Sequence, residues 1–263
     1  MKNIDDLQKK IQQNNKTITA NVTDPITKKI IKYNIVNKAT LWRVQTLFSK
    51  EPITIEWIRK FKKNKVFFDV GANVGMYSIF AAINSLVKVY SFEPESNNFQ
   101  VLMQNIVVNN LTNKVTPYPI GLSNKTEFTN LHLGVFNAGQ SHHTVGESAL
   151  NHQNLEEISS KLNQGIFSTT LDDLCFKWKL PIPAYLKIDV DGIENKIIEK
   201  AKIIISKSNV ESILIEINEN REQDNIIINT LKKSGFNYDK QQVDQARRQS
   251  GPHKGYAEYL FFK

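Results

Sequence analysis

Cysteine and long apolar runs are nearly absent from this sequence of 263 residues. Its one cysteine, Cys175, excludes a disulfide framework and any zinc site built from several cysteines. The most apolar stretch, 76–87, is interrupted by polar residues and is far shorter than the ~20 residues that cross a bilayer. The first fifteen residues lack the apolar core of a secretory signal. These absences predict a cytoplasmic protein with no membrane span.

The sequence also has no internal repeat and no Pro- or Gly-rich linker, and its length suits a single well-buried core. With 40% apolar and 10% aromatic residues, the chain can repay the entropy lost on folding, which excludes disorder. The 34 Lys and Arg against 26 Asp and Glu give a net charge of +8. This excess permits an anionic partner, such as nucleic acid or an acidic glycan, and by itself identifies none.

From residue 65 onward, short apolar runs alternate with segments of helical spacing. Strands are predicted at 66–70, 87–92, 115–120, 184–190, 212–217 and 256–262, with helices at 76–83 and 99–109. Several of these strands are almost continuously apolar, which is typical of a parallel sheet buried on both faces. The pattern predicts a doubly wound α/β domain over 65–263, interrupted by a hairpin at 127–133 and a polar loop. Residues 1–64 are interpreted as an accessory cap on that domain.

A glycine loop follows the first predicted strand and precedes a helix. It reads Asp69-Val-Gly71-Ala72-Asn73-Val-Gly75, and a ligand binds at this end of the strands in an open α/β sheet. Its glycine spacing is not the G-x-G-x-x-G of dinucleotide binders. The carboxylate of Asp69 would repel a pyrophosphate and attract a cationic amino-acid group. The alternative is a tight turn that binds nothing.

The second predicted strand ends in Glu93 and Pro94, and Glu93 lies 22 residues after Gly71. An acidic side chain at this strand end can accept hydrogen bonds from both ribose hydroxyls of an adenosine cofactor. The alternative is a solvated loop acid before a helix. Together with the glycine loop, Glu93 predicts an adenosyl ligand without a pyrophosphate, which is S-adenosylmethionine. Ser123, after the third strand, is the candidate for adenine contact.

Five sequence blocks resemble the FkbM family of S-adenosylmethionine-dependent methyltransferases, in order and in spacing. The blocks are VFFDVGANVGMYS, SFEPESNNFQVLMQNIVVNN, STTLDDL, YLKIDVDGIE and ILIEIN. The resemblance implies a class I methyltransferase (Rossmann-like) fold, a mostly parallel seven-stranded sheet whose last strand is antiparallel. It also implies O-methylation of hydroxyls on sugars, glycolipids or natural products. Where the family has KIDVEG, this chain has Asp191 in place of Glu.

Methyl transfer to an alcohol needs alignment and removal of the hydroxyl proton. Asp189 follows the fourth core strand, at the same edge of the sheet as Asp69 and Glu93. It is therefore the first candidate for the catalytic base or for a ligand of the acceptor hydroxyl. The alternative is that Asp189 makes only a structural hydrogen bond. Asp191 is a candidate substrate contact. With Glu194 it could complete an acidic metal cluster, but a helix capping box is favoured. A divalent metal is therefore allowed and not favoured.

The segment Asn137-Ala-Gly-Gln-Ser141-His142-His143 falls in the irregular region and is similar to a family loop. Asn137 and Ser141 are candidate substrate contacts. His142 is a candidate base because unperturbed histidine titrates near pH ~6.5; the alternative is an exposed loop histidine. The irregular spacing of the histidines argues against a transition-metal site.

Three competing functions remain beside transfer to a small-molecule or glycan hydroxyl. An RNA methyltransferase is favoured by the charge of +8 and by a basic C-terminal cluster, but the fourth strand ends in IDVDG rather than Asn-Pro-Pro-Tyr, and no RNA-binding module is visible. The glycine spacing argues against a nicotinamide-dependent oxidoreductase. A non-catalytic S-adenosylmethionine-binding protein is the third. Nucleic acid is thus an unfavoured partner, and the oligomeric state is not predicted.

Overall fold

The computed structural model describes residues 18–141, 143–146, 149–150, 157–158, 162–251 and 253–263. The strands are β1 (Ile18–Thr23), β2 (Ile30–Ile35), β3 (Val66–Val70), β4 (Lys88–Phe92), β5 (Val115–Tyr118), β6 (Gly121–Leu122), β7 (Glu127–Leu133), β8 (Thr144–Gly146), β9 (Ala149–Leu150), β10 (Glu157–Ile158), β11 (Leu162–Thr169), β12 (Tyr185–Ile188), β13 (Ser212–Asn218), β14 (Asn237–Tyr238) and β15 (Tyr256–Phe262).

The helices flank these strands and, in the main sheet, form the crossovers between parallel neighbours. They are α1 (Lys38–Gln45), α2 (Pro52–Arg59), α3 (Met76–Asn84), α4 (Ser96–Val108), α5 (Leu171–Phe176), α6 (Glu194–Glu199), α7 (Lys202–Ser206), α8 (Glu222–Lys233) and α9 (Lys240–Ala246). Among the described residues, no helix combines the length and the hydropathy needed to span a bilayer.

The main sheet has seven strands in the order β14-β15-β13-β12-β3-β4-β5. Its strands are parallel except for β15, which runs antiparallel to both of its neighbours. The predicted doubly wound, mostly parallel sheet with an antiparallel last strand is therefore confirmed. The sequence prediction missed β14, because two residues, Asn-Tyr, carry no strand periodicity.

This strand order places a switch point between β3 and β12. From β3 the chain proceeds outward through β4 and β5, whereas β12 and β13 lie on the opposite side of β3. A crevice opens at such a point outside the carboxyl ends of the strands. The sheet therefore brings the chain segments that follow β3, β4, β12 and β13 to one place.

Both faces of the main sheet are buried, as the continuous apolar runs predict. Phe67 of β3 joins a cluster that contains Ile79 of α3, and its neighbour Phe68 joins a second cluster with Ile197 of α6. The alternation of side chains along a strand sends adjacent residues to opposite faces. Helices on both sides of the sheet thus fix the position of the strand ends.

The N-terminal segment packs on one of these two faces. Ile31 and Tyr33 of the β1–β2 hairpin, together with Trp57 of α2, belong to the same apolar cluster as Phe67. Arg59 donates two hydrogen bonds to the buried carboxylate of Asp24, at 2.6 and 2.8 Å. The described part of this segment, 18–64, shares its core with the sheet.

The region between β5 and β12 holds a second sheet of four strands, in the order β6-β11-β7-β8. The predicted hairpin at 127–133 is wrong. Those residues form the single strand β7, which pairs antiparallel with β11 and β8. The partners are residues 162–169 and 144–146, too distant along the chain for local turn chemistry to reveal them.

Candidate functional site

A cleft of about 450 Å³ opens at the carboxyl ends of β3, β4, β12 and β13, a volume within the range of small-molecule sites. We divide it into two halves. The glycine-loop half is lined by residues of 70–77, 92–98 and 120–122. The charged half is lined by Trp42, Arg43, Lys50, Glu51, Lys187, Asp189, Asp191, Glu216, Arg248 and His253.

The glycine loop is shaped by backbone angles that side chains disfavour. Gly71 has φ of 80°, and a Cβ there would lie 1.9 Å from the carbonyl oxygen of Asp189. Gly75 has φ of 83°, and its Cβ would lie 2.4 Å from a methyl carbon of Leu102 on α4. Asn73 adopts φ of 51°, which asparagine tolerates better than most residues. The loop therefore packs against the backbone of Asp189 on one side and against the Leu102 side chain on the other.

Glu93 lies at the end of β4 and lines the glycine-loop half beside Ala72 and Pro94. Its carboxylate accepts backbone hydrogen bonds from Asn73 at 2.7 Å and from Glu95 at 2.9 Å. Burial raises the pKa of Glu93 to about 7, against these two donors. A carboxylate has about four lone-pair positions, so acceptor capacity remains on the side that faces the cleft.

Asp69 sits beneath the glycine loop rather than in the described lining of the cleft. Its side chain is 1% exposed and accepts a hydrogen bond from the Ser78 hydroxyl at 2.5 Å. Burial raises the pKa of Asp69, while the nearby Lys187 opposes that shift. Its Oδ1 has no hydrogen-bond partner among the described residues. Gly75 likewise lies behind the lining.

The floor of the charged half is an ion pair on β12 and the residue that follows it. The ammonium of Lys187 lies 2.6 Å from Oδ2 of Asp189, and the lysine side chain is 2% exposed. Burial would raise the pKa of Asp189, but the charges of Lys187 and Lys50 outweigh burial and hold it well below its usual range. Asp189 is thus an ionised hydrogen-bond acceptor at neutral pH and a weak base.

Glu51 brings a second buried carboxylate to this floor from the N-terminal segment. Lys50 pairs with it at 2.5 Å, and the Tyr77 hydroxyl of α3 is hydrogen bonded to it. Burial raises the pKa of Glu51, but Lys50 and Lys187 outweigh burial and lower it overall. The two lysines and the carboxylates of Glu51 and Asp189 therefore form one ionised cluster.

Glu216 of β13 lines the cleft on the side of Asp189, and Arg248 lies 2.7 Å from its Oε1. Burial and the charge of Asp189 raise the pKa of Glu216 to about 8, although Arg248 opposes the shift. Its direct cross-strand neighbour is Glu258 of β15. Burial and the charge of Glu51 raise the pKa of Glu258 to about 8 as well. Two carboxyl groups that hold protons near neutral pH thus lie side by side.

The predicted substrate loop is tied to the cleft, although only part of it lines the wall. Ser141 and His143 line the cleft, whereas Asn137 is exposed and accepts a hydrogen bond from Asn37 at 2.8 Å. The carbonyl of Gln140 accepts from the Asn73 side chain at 2.7 Å. The predicted base His142 lies outside the described residues.

The predicted capping box at Asp191 is wrong. Helix α6 begins at Glu194, its N-cap is Ile193, and no side chain caps it. Glu194 instead accepts hydrogen bonds from the amides of Val190 and Gly192, at 3.1 and 3.0 Å. Asp191 has φ of 59° and lines the cleft. The tight turn after β12 thus places Asp191 before the helix and in the wall of the cleft.

Two remaining expectations concern adenine and metals. Ser123 is buried, and its backbone amide donates a hydrogen bond to the carbonyl of Thr169 at 3.0 Å. Its neighbours Gly121 and Leu122 line the wall of the cleft.

Within the described part of the chain, no group of three or more His, Cys, Asp or Glu residues could hold a metal ion.

Sequence reasoning missed Lys187, Glu216, Glu51, Trp42 and Arg248. The first two carried a signal, because a charged residue inside an otherwise apolar buried strand needs a partner or a function. For Glu51, Trp42 and Arg248, only the folded chain brings distant segments together.

Comparison with known proteins gives one family match. The family model "Methyltransferase FkbM domain" matches residues 69–238 of this chain. That range begins at Asp69, before the glycine loop, and ends at β14, so it contains the carboxyl ends of β3, β4, β12 and β13. No curated protein sequence gives a significant match.

Solved methyltransferase structures resemble the chain at low identity. A tRNA m1G37 methyltransferase from M. jannaschii has a TM-score of 0.48 and 12% identity, over 94% of this chain and 55% of that one. The precorrin-6y C5,15-methyltransferase of Geobacter metallireducens has 0.47 and 12%, over 81% and 86%. Aeropyrum pernix fibrillarin, in complex with S-adenosyl-L-methionine, has 0.46 and 9%, over 92% and 93%.

Proposed function

Because the chain belongs to the FkbM methyltransferase family, we propose that it transfers a methyl group from S-adenosylmethionine to a hydroxyl of a sugar, a glycan or a small natural product. The protein is a methyltransferase with a class I fold. The nature of the acceptor and the roles of individual residues are the substance of the proposal, together with a cytoplasmic location and the function of residues 1–64 as a cap.

The observation that carries the proposal is the division of the cleft into two unlike halves. The glycine-loop half has bare backbone at Gly71 and a buried acceptor in Glu93. These features fit an adenosine that has no phosphate. Glu93 would hold the ribose hydroxyls, and the backbone and Ser123 beyond β5 would face the adenine edge. Asp69, buried beneath the loop, would act on the cationic group of the cofactor through its charge and not by contact.

The charged half suits a hydroxyl acceptor. Bound S-adenosylmethionine supplies an activated methyl group, and the acceptor oxygen must lose its proton. Asp189, held ionised by Lys187, accepts the hydrogen bond of the hydroxyl and orients its oxygen. The ionised fraction of Glu216 takes the proton, because a carboxylate whose pKa is about 8 is a much stronger base than one of depressed pKa. The proton then passes to solvent.

Cofactor binding is tested by calorimetry with S-adenosylhomocysteine on wild type, Glu93→Gln and the exposed control Glu127→Gln. Glu93→Gln is expected to weaken binding about tenfold to a hundredfold, since hydrogen bonds to a charged acceptor are lost. Wild-type affinity should rise as pH increases through about 7, when Glu93 ionises. That rise should disappear in Glu93→Gln and persist in Glu127→Gln. Equal affinity in all three would contradict the role of Glu93.

The acceptor class is tested by transfer of a labelled methyl group to a panel of glycosides and polyols, with total RNA as the rival acceptor. Label is expected in the glycoside fraction, to be strongly reduced in Asp189→Asn and Glu216→Gln, and to be retained in the exposed control Glu222→Gln. Label in RNA alone would favour the RNA methyltransferase. Tight cofactor binding with no transfer to any acceptor would favour a binding protein.

A further inference from the structure

Exposed apolar side chains lie on two segments that meet beside the charged half. We call them the apolar rim: Val36 (48% exposed), Leu41 (40%), Trp42 (48%), Val135 (55%) and Phe136 (56%). They come from two segments, at α1 and before the loop 137–141. Trp42 belongs to the rim and also lines the cleft. Large side chains clustered in this way at a site entrance mark an interaction surface.

Hydrogen bonds hold the two segments of the apolar rim together. The Asn37 side chain donates to Oδ1 of Asn137 at 2.8 Å and to the carbonyl of Ala138 at 2.7 Å. Nε of Arg43 donates to the carbonyl of Gly139 at 2.6 Å. A Cβ at Gly139 would lie 3.0 Å from Thr40 of α1. The rim is therefore one surface built on a fixed backbone.

Helix α1 has one face for the core and one for the outside. Thr40 and Val44 are buried, whereas Leu41 and Trp42 are exposed. Lys38 is also exposed and precedes Trp42 by four residues, so both lie on the same side of the helix. An exposed helix face that pairs a tryptophan with a lysine is typical of segments that lie at a membrane interface.

The charge around the apolar rim has one sign. Residues 36–49 contain Lys38 and Arg43 and no acidic residue, and residues 134–141 contain no charged residue. Lys50, which follows, is paired with Glu51 inside the charged half. The exposed Phe128, by contrast, directly follows an acidic residue, Glu127. Cations beside apolar side chains complement a surface that is both anionic and apolar.

We propose that the apolar rim docks the mouth of the cleft on an anionic lipid bilayer. Val36, Trp42 and Phe136 enter the interface between headgroups and acyl chains, and Lys38 and Arg43 lie at the level of the anionic headgroups. Each cation near such a surface strengthens attachment about fivefold. The docked cleft would open toward the headgroups, so that an acceptor carried by a lipid reaches Asp189 without leaving the membrane.

Vesicle flotation of the full chain tests the docking without turnover. Vesicles of phosphatidylglycerol and phosphatidylcholine are expected to bind the protein at low salt, and binding should weaken at high salt and on pure phosphatidylcholine. Phe136→Ser should weaken partition about tenfold, and Lys38→Gln about fivefold. Phe128→Ser, a more exposed site away from the rim, should leave partition unchanged.

Tryptophan fluorescence gives a second readout that locates the contact. Trp42 and Trp178 are exposed, whereas Trp57 is buried. Addition of anionic vesicles should shift the emission to shorter wavelength in wild type and in Trp178→Phe, and the shift should vanish in Trp42→Phe.

Three results would overturn the proposal. The first is the absence of binding to anionic vesicles. The second is binding that Phe128→Ser or Trp178→Phe removes and the rim variants do not. The third is a dimer in sedimentation that Phe136→Ser dissociates without any vesicle binding, because the rim would then contact a second copy of the chain. Failure of methyl transfer to sugars would leave the docking result unaffected, so the two proposals fail separately.

Discussion

The two halves of the cleft are built in different ways. The glycine-loop half takes its shape from residues close together in sequence, such as Gly71, Asn73 and Glu93, and its strain lies in the backbone. In the charged half, Glu51, Lys187 and Glu216 come from segments far apart in the chain. Burial and neighbouring charges shift the pKa of each of these groups. One half therefore depends on sterics and the other on charge balance, and different substitutions should break each.

The largest expected effect is on the charged half, in Lys187→Met. Three carboxylates, those of Asp189, Glu51 and Asp69, act together on this buried lysine. Without its charge they remain buried and under-compensated, so the free energy of unfolding at pH 7 should fall by about 3–5 kcal/mol. Urea unfolding measures the loss.

The matched control is Lys200→Met, because Lys200 and Glu199 form an exposed pair at 3.5 Å and such pairs contribute less than about 1 kcal/mol. The deficit of Lys187→Met should shrink in acid. In wild type, Lys187 lowers the pKa of Asp189, so its contribution is present above the unfolded pKa and is lost as pH falls. Equal losses in the two variants would show that the charged half does not depend on Lys187.

The next effect belongs to the glycine-loop half and compares Gly71→Ala with Gly235→Ala. Both glycines have positive φ, 80° and 87°, so both variants incur the same left-handed strain. A Cβ at Gly235 meets nothing within 4 Å, whereas one at Gly71 meets a backbone oxygen. Gly71→Ala should therefore lose about 1–3 kcal/mol more than Gly235→Ala, together with cofactor binding.

Urea unfolding and calorimetry with S-adenosylhomocysteine provide the two measurements. Gly235→Ala should bind the cofactor product as wild type does. If both variants lose the same stability and both retain binding, the close approach of Gly71 to Asp189 is not what shapes the glycine-loop half.

The glycine-loop half could be predicted from the sequence more fully than the charged half, because its residues lie close together in the chain. The six longer strands of the main sheet, the glycine loop and the position of Glu93 follow from local patterns, since a strand, a turn and a strand end lie within about 25 residues. The second sheet and the two-residue β14 were missed because their pairing is long-range or too short to show a period.

The charged half was predicted only at Asp189 and Asp191. Lys187 and Glu216 stood within recognised blocks as charges in apolar strands. The partner of Lys187 is the nearby Asp189, whereas the partner of Glu216 is Arg248, which comes from a distant segment of the chain. The capping box failed because the turn at Asp191 takes a left-handed angle and helix α6 starts three residues later. The start of helix α6 therefore depends more on the burial of Glu194 than on the local preference for a capping residue.

The smallest effect sharpens the electrostatic side of the contrast, in Glu258→Gln. Glu258 and its cross-strand neighbour Glu216 both have pKa values of about 8 in the fold, above the ~4.3 of an unfolded chain. Each group therefore contributes stability in acid that is lost as pH rises from about 4 to 8. Glutamine removes one of the two.

Urea unfolding at intervals between pH 5 and pH 9 should show a smaller decrease in the free energy of unfolding for Glu258→Gln than for wild type. The stability of the variant relative to wild type should therefore increase as pH rises. Glu211→Gln is the control, because the pKa of Glu211 is lowered by its hydrogen bonds to Lys65 and Lys62 against the effect of burial. Its stability should follow the wild-type slope across this range. Parallel curves for Glu258→Gln and wild type would mean that Glu258 is ionised at neutral pH and that its pKa is not raised by the fold.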